Sequence, residues 1–319
     1  MVVGLTRRAN ILGALRKMAK APEISIIVPT WNTRALLATC LESIARSTEG
    51  LAVETIVVDN ASTDATAAMV RERFPSVRLI CNRDNVGFAK AANQAASQST
   101  APYFLFLNSD AQLLPNALTA LLDVAAAQPR AGVVGAQLRN VDGSFQASYA
   151  SFPSLRQEFL VLSGLGRLLS GPQYPSRGPD DAAGPQPVDW VAGACMLVRR
   201  TAFADVGGLD EGYFMYAEEM DLCYRMSNAG WEVWYQPLAK VMHVGGASSR
   251  EHRAQFEANL YRGRLRFFEL HHGQRAARIL YAQIYVFTAV KIAVHGFLCR
   301  ISGGRYGRPV VPLRALGEK

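Results

Sequence analysis

The segment YFLFLNSD, from Tyr103 to Asp110, decides the fold of this chain. Five consecutive apolar or aromatic residues lead directly into Asn108, Ser109 and Asp110. A continuous apolar run of this length is typical of a strand that is buried on both faces, as in a parallel sheet. Ligand-binding groups lie at the carboxyl ends of such strands. We therefore predict that Asp110 holds a ligand.

The rest of the first half alternates between β-branched runs and helical spacing. Strands are predicted at 24–29, 53–59, 77–81 and near 132–136, and helices at about 36–44, 64–73, 88–98 and from Pro115 onwards. This alternation predicts right-handed crossovers and a parallel, doubly wound α/β sheet. From about residue 140 to 187 the alternating pattern fails, and we expect an irregular region with a long loop at 171–187. After it we expect one apolar strand at 188–200, a helix through Asp221 and a short strand at 231–237.

The charges divide the chain into an acidic body and two basic ends. The chain has 319 residues and a formal net charge of +8, but residues 1–20 carry five basic and no acidic side chains. Residues 250–319 carry thirteen basic and four acidic side chains, so the middle of the chain is acidic. This distribution argues against a nucleic-acid-binding core and favours ends that contact an anionic surface.

The segment from Ile279 to Cys299 is long enough to span a bilayer but carries four polar residues. On a helix these residues occupy an arc of about 140°, which favours a helix lying in the membrane interface over one that crosses it. A helix packed on the core is a third possibility. The four polar residues are Gln283, Thr288, Lys291 and His295, and the flanking basic residues are Arg275, Arg278, Arg300, Arg305 and Arg308.

The five cysteines show no paired spacing, which indicates neither a disulfide framework nor a zinc site. Together with the absence of a signal-peptide pattern, this favours a reducing, cytoplasmic location. The basic ends would place the protein at the inner face of the cytoplasmic membrane.

Four polar clusters follow the predicted strands, around Thr30, Asp59, Asn85 and Asp110. The carboxyl ends of parallel strands open onto one crevice, so these groups should converge there. They suit a nucleotide base and ribose. No GxGxxG or GxxxxGK[ST] motif follows the first strand, so neither a dinucleotide site nor a P-loop is supported.

Two further clusters carry candidate catalytic groups. Glu218, Glu219 and Asp221 follow an aromatic segment, Phe214 to Tyr216, that could stack on a sugar. A carboxylate there could act as a general base, although acidic residues are also common at the start of a helix for electrostatic reasons. His243 is followed by two glycines, which allow a ligand to approach the backbone closely.

Taken together, these motifs resemble those of the family 2 glycosyltransferases of the GT-A fold, in the bacterial rhamnosyltransferase-like branch. The resemblance covers about residues 23–250. It rests on the segments IIVPTWN, VVDNASTD, NRDNVGFAKAANQA, FLFLNSD, GACMLVRRTAFADVGGLDEGYFMYAEEMDLCYR, AGW and HVGGAS.

The resemblance implies a Rossmann-like, mostly parallel sheet flanked by helices, with a nucleotide-binding half (23–110) and an acceptor half (111–250). A basic tail (1–22) precedes this domain, and a basic, amphipathic, membrane-associating helical extension (251–319) follows it. Glu219 is the implied catalytic base, and Asp110 and His243 are the implied ligands of a divalent metal, Mg²⁺ or Mn²⁺. The implied donor-binding residues are Pro29, Thr30, Asn32, Asp59, Asn85, Gly87, Phe88, Asn108, Ser109 and Gly193, and the implied acceptor-binding residues are Trp190, Glu218 and Asp221.

Two positions depart from the family pattern. The metal motif of the family is often Asp-x-Asp, and here Asn108 occupies its first position. The site therefore has one anionic ligand and should bind the metal weakly until the donor diphosphate supplies more oxygens. At the base position the departure is Glu219 in place of Asp, a tolerated variant that puts the carboxylate one methylene further from the backbone.

The implied function is inverting sugar transfer in cell-envelope polysaccharide synthesis. The expected donor is deoxythymidine diphosphate-rhamnose or a uridine diphosphate sugar, and the expected acceptor is a lipid-linked or envelope glycan. A homo-oligomer is possible. A sugar nucleotidyltransferase and an inactive carbohydrate-binding descendant are the alternatives. The first would need a basic, Gly-rich loop where PTWNTR stands, and the second would lack Asp110 or Glu219.

Overall fold

The computed structural model describes residues 21–48, 50–176, 178, 184–245 and 253–301. The predicted N-terminal tail up to residue 20, Arg305 and Arg308 lie outside these ranges. The described strands are β1 (Ile24–Thr30), β2 (Val53–Asp59), β3 (Arg78–Cys81), β4 (Tyr103–Leu107), β5 (Ala111–Leu113), β6 (Ala131–Arg139), β7 (Phe145–Gln146), β8 (Tyr149–Ala150), β9 (Gln186–Pro187), β10 (Trp190–Val191), β11 (Cys195–Arg199) and β12 (Glu232–His243). The described helices are α1 (Arg34–Ser47), α2 (Thr66–Arg73), α3 (Phe88–Ala96), α4 (Ala117–Ala127), α5 (Leu155–Ser163), α6 (Leu165–Ser170), α7 (Arg200–Asp205), α8 (Glu218–Asn228), α9 (Arg253–His271) and α10 (Gly273–Ile301).

The central sheet has the strand order β3-β2-β1-β4-β11-β6-β12-β5. Strand β1 runs parallel to β2 and β4, and β2 runs parallel to β3. Residues 104–107 of β4 are buried because β1 and β11 flank the strand and apolar clusters cover both faces of the sheet. The predicted α/β class is therefore confirmed, and β4 is a central strand that ends at Asn108.

The second half of the sheet differs from the prediction in direction. The single strand predicted at 188–200 is wrong, because the chain bends at 192–194 and separates β10 from β11. Strand β11 is antiparallel to both β4 and β6, whereas β10 pairs with β8 in a small separate sheet. The short strand predicted at 231–237 is in fact the longer β12, which ends at His243.

Two local predictions also need correction. Pro115 does not lie in the first turn of α4, because the helix begins at Ala117 after Asn116 in a left-handed conformation. The irregular region expected from about residue 140 contains two helices, α5 and α6. Ser154 caps α5 by accepting a hydrogen bond from the backbone N–H of Gln157, and Gly164 ends α5 with a positive φ.

The C-terminal helices α9 and α10 pack on helix α8 through an apolar cluster. This cluster joins Phe267 and Phe268 of α9 and Leu280 and Ile284 of α10 to Met220 of α8. The cluster ties the extension to the start of the acidic helix α8.

Helix α10 turns part of its polar arc toward the protein and an apolar side toward the solvent, which is the reverse of a helix whose polar arc faces water. Thr288 is buried and the side-chain amide of Gln283 donates to the carbonyl oxygen of Leu155, so these polar side chains face the protein. The outer side carries apolar side chains that are 49–64% exposed: Ile279, Val286, Val290, Val294 and Phe297. By length and composition α10 is long enough to cross a membrane, and its most apolar 18 residues are only 11% buried.

Candidate active site

A cavity of about 610 Å³ opens at the carboxyl ends of β1, β2 and β4. Nine of the predicted site residues line it: Pro29, Thr30, Asn85, Gly87, Phe88, Asn108, Ser109, Asp110 and His243. The strand-end clusters therefore converge as the parallel topology requires. A cavity of this volume lies within the range of small-ligand and cofactor sites.

Buried hydroxyl groups fix the floor of the cavity. The hydroxyls of Thr30 and Thr33 are 2.8 Å apart, and that of Thr33 donates to Ser109 Oγ at 2.9 Å. This chain joins the end of β1 to the turn after β4. It holds the backbone next to Asp110 in one position.

Asn32 and Asp59, predicted to hold the base and ribose, stabilise the neighbouring loop. Asn32 has a φ of 52° and accepts a hydrogen bond from the backbone N–H of Thr63 at 2.8 Å. Asp59 is buried and accepts from the backbone N–H of Ser62 at 3.1 Å. The structure places neither of them in the lining of the cavity. Their contact with a nucleotide stays a prediction.

Gly87 lies at a close approach between two loops. Its φ is +83°, and a Cβ atom there would stand 2.4 Å from the carbonyl oxygen of Phe214. The same oxygen accepts a hydrogen bond of 2.7 Å from the backbone N–H of Phe88. Only glycine fits here, and it joins the predicted nucleotide loop to the aromatic segment 214–216, which also lines the cavity.

The sheet register brings Asp110 and His243 together. In the antiparallel β5–β12 pair, His243 is the partner of Ala111, and the backbone N–H of Val244 donates to the carbonyl oxygen of Asp110. His243 Nε2 lies 3.3 Å from Asp110 Oδ1 and 3.3 Å from the amide nitrogen of Asn108. Asp110 and His243, which are far apart in sequence, thus place a carboxylate oxygen and an imidazole nitrogen side by side.

Gln146 determines which nitrogen of His243 faces Asp110 as an acceptor. The carbonyl oxygen of its side chain lies 2.7 Å from His243 Nδ1, and its amide donates to Asn140 at 3.0 Å. Nδ1 must therefore carry a proton. In the neutral ring Nε2 then presents a lone pair, which can accept from the Asn108 amide at 3.3 Å or, together with Asp110 Oδ1 at 3.3 Å, bind a cation.

This arrangement fits a divalent metal. Neighbouring ligands on one octahedral ion are about 3 Å apart, close to the separation of the two acceptors. A hydrogen bond from the distal nitrogen to a fixed acceptor is also usual for metal-binding histidines. Among the described residues no group of three or more His, Cys, Asp or Glu side chains is placed to hold a metal ion. Within the described ranges Asp110 and His243 are therefore the two available ligands, and a metal bound there would take further ligands from substrate or water.

Glu218 and Glu219 begin helix α8 after two residues with positive φ, Tyr216 and Ala217. Burial raises the pKa of Glu219, while backbone N–H groups, including that of Gly193, and the charge of Arg264 act in the opposite direction. Burial, followed by the neighbouring charge of Glu219, holds the pKa of Glu218 well above its usual range. A carboxylate with a raised pKa is suited to taking up a proton near neutral pH.

Gly193 packs directly on this base candidate and does not line the cavity. A Cβ atom on Gly193 would lie 3.3–3.5 Å from the side-chain carbons of Glu219. One oxygen of each glutamate, Oε2, is buried and has no hydrogen-bond partner within the described part of the chain. Each of the two carboxylates therefore has one buried oxygen that could accept a hydrogen bond or a proton from a substrate.

Asp221, predicted to bind the acceptor, is instead engaged by the fold. Its side chain is fully buried, and one oxygen accepts from Arg225 Nε at 2.7 Å. The other oxygen lies 2.7 Å from His271 Nε2 of helix α9. Both oxygens are consumed by an ion-pair network that anchors the C-terminal extension to α8. Asp221 is two residues beyond Glu219, so the helix turns it about 200° away from that residue and toward the extension.

Trp190 lies near the same carboxylates but outside the cavity. Its indole N–H donates to the carbonyl oxygen of Ser151 at 3.0 Å, and its ring packs against the cluster that surrounds Met220. Contact with an acceptor sugar stays a prediction for this residue.

Three amide side chains in the lining lie outside the clusters that the sequence predicted. Gln146 comes from the two-residue strand β7, and Gln255 and Asn259 come from α9. Gln255 donates to Asn259 at 3.2 Å, one helical turn away. No sequence signal distinguishes these amides from surface residues. The C-terminal extension therefore completes the wall of the cavity.

The family model for glycosyl transferase family 2 matches residues 25–207. This chain belongs to that family. It is 36% identical over 239 residues to the N-acetylglucosaminyl-diphospho-decaprenol L-rhamnosyltransferase of Mycobacterium tuberculosis, a match that covers 69% of this chain and 75% of the relative. It is 48% identical over 63 residues to the rhamnosyltransferase WbbL of Escherichia coli, covering 20% of this chain and 24% of the relative.

Solved structures confirm the predicted GT-A architecture. A mannosyltransferase from Pyrobaculum calidifontis, in complex with GDP-Man and Mn²⁺, superposes with a TM-score of 0.51 at 18% identity. The match covers 94% of this chain and 89% of that one. At this identity the likeness establishes the fold alone.

Proposed function

We propose that this family 2 glycosyltransferase moves L-rhamnose from a nucleoside-diphosphate sugar to a hydroxyl of a lipid-linked or cell-envelope glycan. Deoxythymidine diphosphate-rhamnose is the preferred donor and a uridine diphosphate sugar the second choice. The observation that carries the proposal is the facing pair Asp110 Oδ1 and His243 Nε2 on the wall of a nucleotide-sized cavity. The rhamnosyltransferase relatives support the choice of sugar.

The reaction is a single displacement with inversion at the anomeric carbon. Glu219 takes the proton of the acceptor hydroxyl as its oxygen forms the bond to that carbon. The bond from the carbon to the donor diphosphate breaks, and the nucleoside diphosphate leaves. The raised pKa of Glu219 suits it to this proton transfer.

Asp110 and His243 would hold a divalent metal, Mg²⁺ or Mn²⁺, together with the donor diphosphate. The bound ion supplies electrostatic stabilisation of the leaving group. Gln146 keeps the His243 ring in the ligating orientation and tautomer. Because one carboxylate is the only anionic ligand at this pair, we expect metal and donor to bind together.

The outward apolar side of α10 supports peripheral contact with the inner face of the cytoplasmic membrane. Exposed Arg278, Lys291 and Arg300 lie on the same helix and would meet anionic head groups, each contributing about 1 kcal/mol. Sedimentation with vesicles of phosphatidylcholine alone and with added phosphatidylglycerol tests this contact. Equal, negligible binding to both would contradict it.

The function itself is tested with purified protein, Mn²⁺ and a panel of nucleotide sugars offered with a prenyl-diphosphate-linked N-acetylglucosamine. We expect transfer from deoxythymidine diphosphate-rhamnose and a product whose anomeric configuration, read by NMR, is inverted. Release of pyrophosphate from a nucleoside triphosphate and a sugar phosphate would instead show a nucleotidyltransferase. Binding of sugar without transfer from any donor would show an inactive descendant.

A further inference from the structure

A second cavity, of about 490 Å³, lies on the acceptor half around the start of α5. Among the residues that the structure describes, its lining combines hydroxyl and amide groups with one arginine and contains no carboxylate. The polar members are Ser151, Ser154, Arg156, Gln157, Ser170, Tyr174 and Ser176. Hydroxyl and guanidinium donors without a competing carboxylate select an anionic ligand.

Arg156 differs from the arginines that serve the structure nearby. Arg264 is paired with the buried Glu158, and Arg266 is paired with Asp210. Arg156 is exposed and makes neither a hydrogen bond nor an ion pair with any residue the structure describes. Its guanidinium is therefore available to an anion at the mouth of this cavity.

A short chain of contacts connects the cavity to the base candidate. Ser151 in its wall accepts the hydrogen bond from the indole N–H of Trp190 at 3.0 Å. Three residues beyond Trp190, Gly193 packs on Glu219. The next residue after Ser151, Phe152, stacks edge-on with Tyr224 of α8 at 5.0 Å between ring centroids. The cavity and Glu219 are thus connected through the same short segment, Trp190 to Gly193.

The rim next to Ser170 is apolar and open to solvent. Leu168 and Leu169 of α6 are 79% and 73% exposed. Helix α5, which carries Arg156, packs against the membrane-facing helix α10, and the rings of Phe159 and Phe287 meet at 5.3 Å between centroids. The cavity and its exposed apolar rim thus adjoin α5, which packs directly against α10.

We propose that this cavity binds the diphosphate group of a lipid-linked sugar acceptor, with Arg156 as its principal cationic contact and Leu168 and Leu169 beside the first isoprene units. The sugar attached to that diphosphate would then extend toward Glu219. This inference rests on the proposed function, because it assigns the acceptor of the same reaction. It adds a site that the donor cavity does not contain.

The test is a calorimetric titration of farnesyl diphosphate into protein whose donor cavity is first saturated with deoxythymidine diphosphate and Mn²⁺. Arg156→Ala should weaken the binding of farnesyl diphosphate by roughly tenfold or more, because a charge-assisted hydrogen bond is lost. Arg167→Ala is the matched control, since Arg167 is exposed on the neighbouring helix and does not line the cavity. It should bind within twofold of wild type.

Three outcomes overturn the proposal. They are equal affinities of wild type and Arg156→Ala, no binding to wild type, and binding of inorganic pyrophosphate as tight as that of farnesyl diphosphate. Equally tight binding of inorganic pyrophosphate would show that the cavity does not recognise the lipid. Binding of deoxythymidine diphosphate is measured separately in each variant, so loss of the donor site and loss of the acceptor cavity are distinguished.

Discussion

Replacing Asp221 by Asn should destabilise the fold without weakening donor binding. The substitution keeps the shape of the side chain and removes its charge from a site where both oxygens are paired at 2.7 Å. Arg225 would keep one strong acceptor, the carbonyl oxygen of Val206, and its Nη2 already has no partner within the described residues.

Removing one partner of a buried ion pair costs about 3–5 kcal/mol. The amide oxygen still accepts one hydrogen bond, so we expect the lower end, about 3 kcal/mol. At about 2.1 cal/mol/K of unfolding entropy per residue, a chain of 319 residues loses roughly 1.5 °C per kcal/mol, so the melting temperature should fall by roughly 4–5 °C.

The assay is thermal unfolding followed by circular dichroism, with calorimetric titration of deoxythymidine diphosphate and Mn²⁺ below the transition. Glu269→Gln is the control, because Glu269 is an exposed carboxylate on the same helix as His271. That variant should melt within about 1 °C of wild type. If Asp221→Asn melted at the wild-type temperature and raised only the KM for acceptor, Asp221 would be an acceptor ligand and our account of it would be refuted.

Three further outcomes follow from the site. Gln146→Leu should lower the affinity for Mn²⁺ in the presence of nucleoside diphosphate about 10–100-fold, measured by electron paramagnetic resonance, whereas Gln146→Glu still accepts from Nδ1 of His243 and should not. Equal Mn²⁺ affinities of the two variants would contradict the tautomer argument. Gly87→Ala should lower both the stability and the affinity for nucleotide, measured by calorimetry, because the new Cβ atom meets Phe214. Gly143→Ala shares a φ near +80° but meets no atom within 4 Å, so it should lose only some stability, and an equal loss of nucleotide affinity in both variants would contradict the role of the Phe214 contact. Because burial raises the pKa of Glu219 above the ordinary 4.5, kcat/KM should fall as the pH drops through that raised value, and a limb at or below 4.5 would count against the base.

The parallel half of the fold could be predicted because hydrophobic periodicity reports local burial. The runs at 24–29, 53–59 and 103–107 are buried strands with polar groups at their ends, and the structure places them side by side. The direction of β11 could not be predicted. An apolar run looks the same whether its neighbours run parallel or antiparallel, and the bend at 192–194 depends on pairing with a distant strand, β8.

The site was predictable where function follows a strand end and not where it depends on distant partners. Asp110 ends a buried strand, and the resemblance supplied His243 as its partner. Asp221 looked equivalent to Glu219 because its partner His271 lies fifty positions away and is invisible to local patterns. Gln146 lies in a two-residue strand within an irregular region, so only the folded register brings it to His243.

The most direct test of the account is single-turnover sugar transfer by Glu219→Gln, measured beside calorimetric binding of the donor nucleotide with Mn²⁺. The amide keeps the size of the side chain and cannot take the acceptor proton. We predict that transfer falls by about 10²–10⁴-fold while nucleotide affinity stays within threefold of wild type. Transfer at a near-wild-type rate would contradict the assignment of Glu219 as the base.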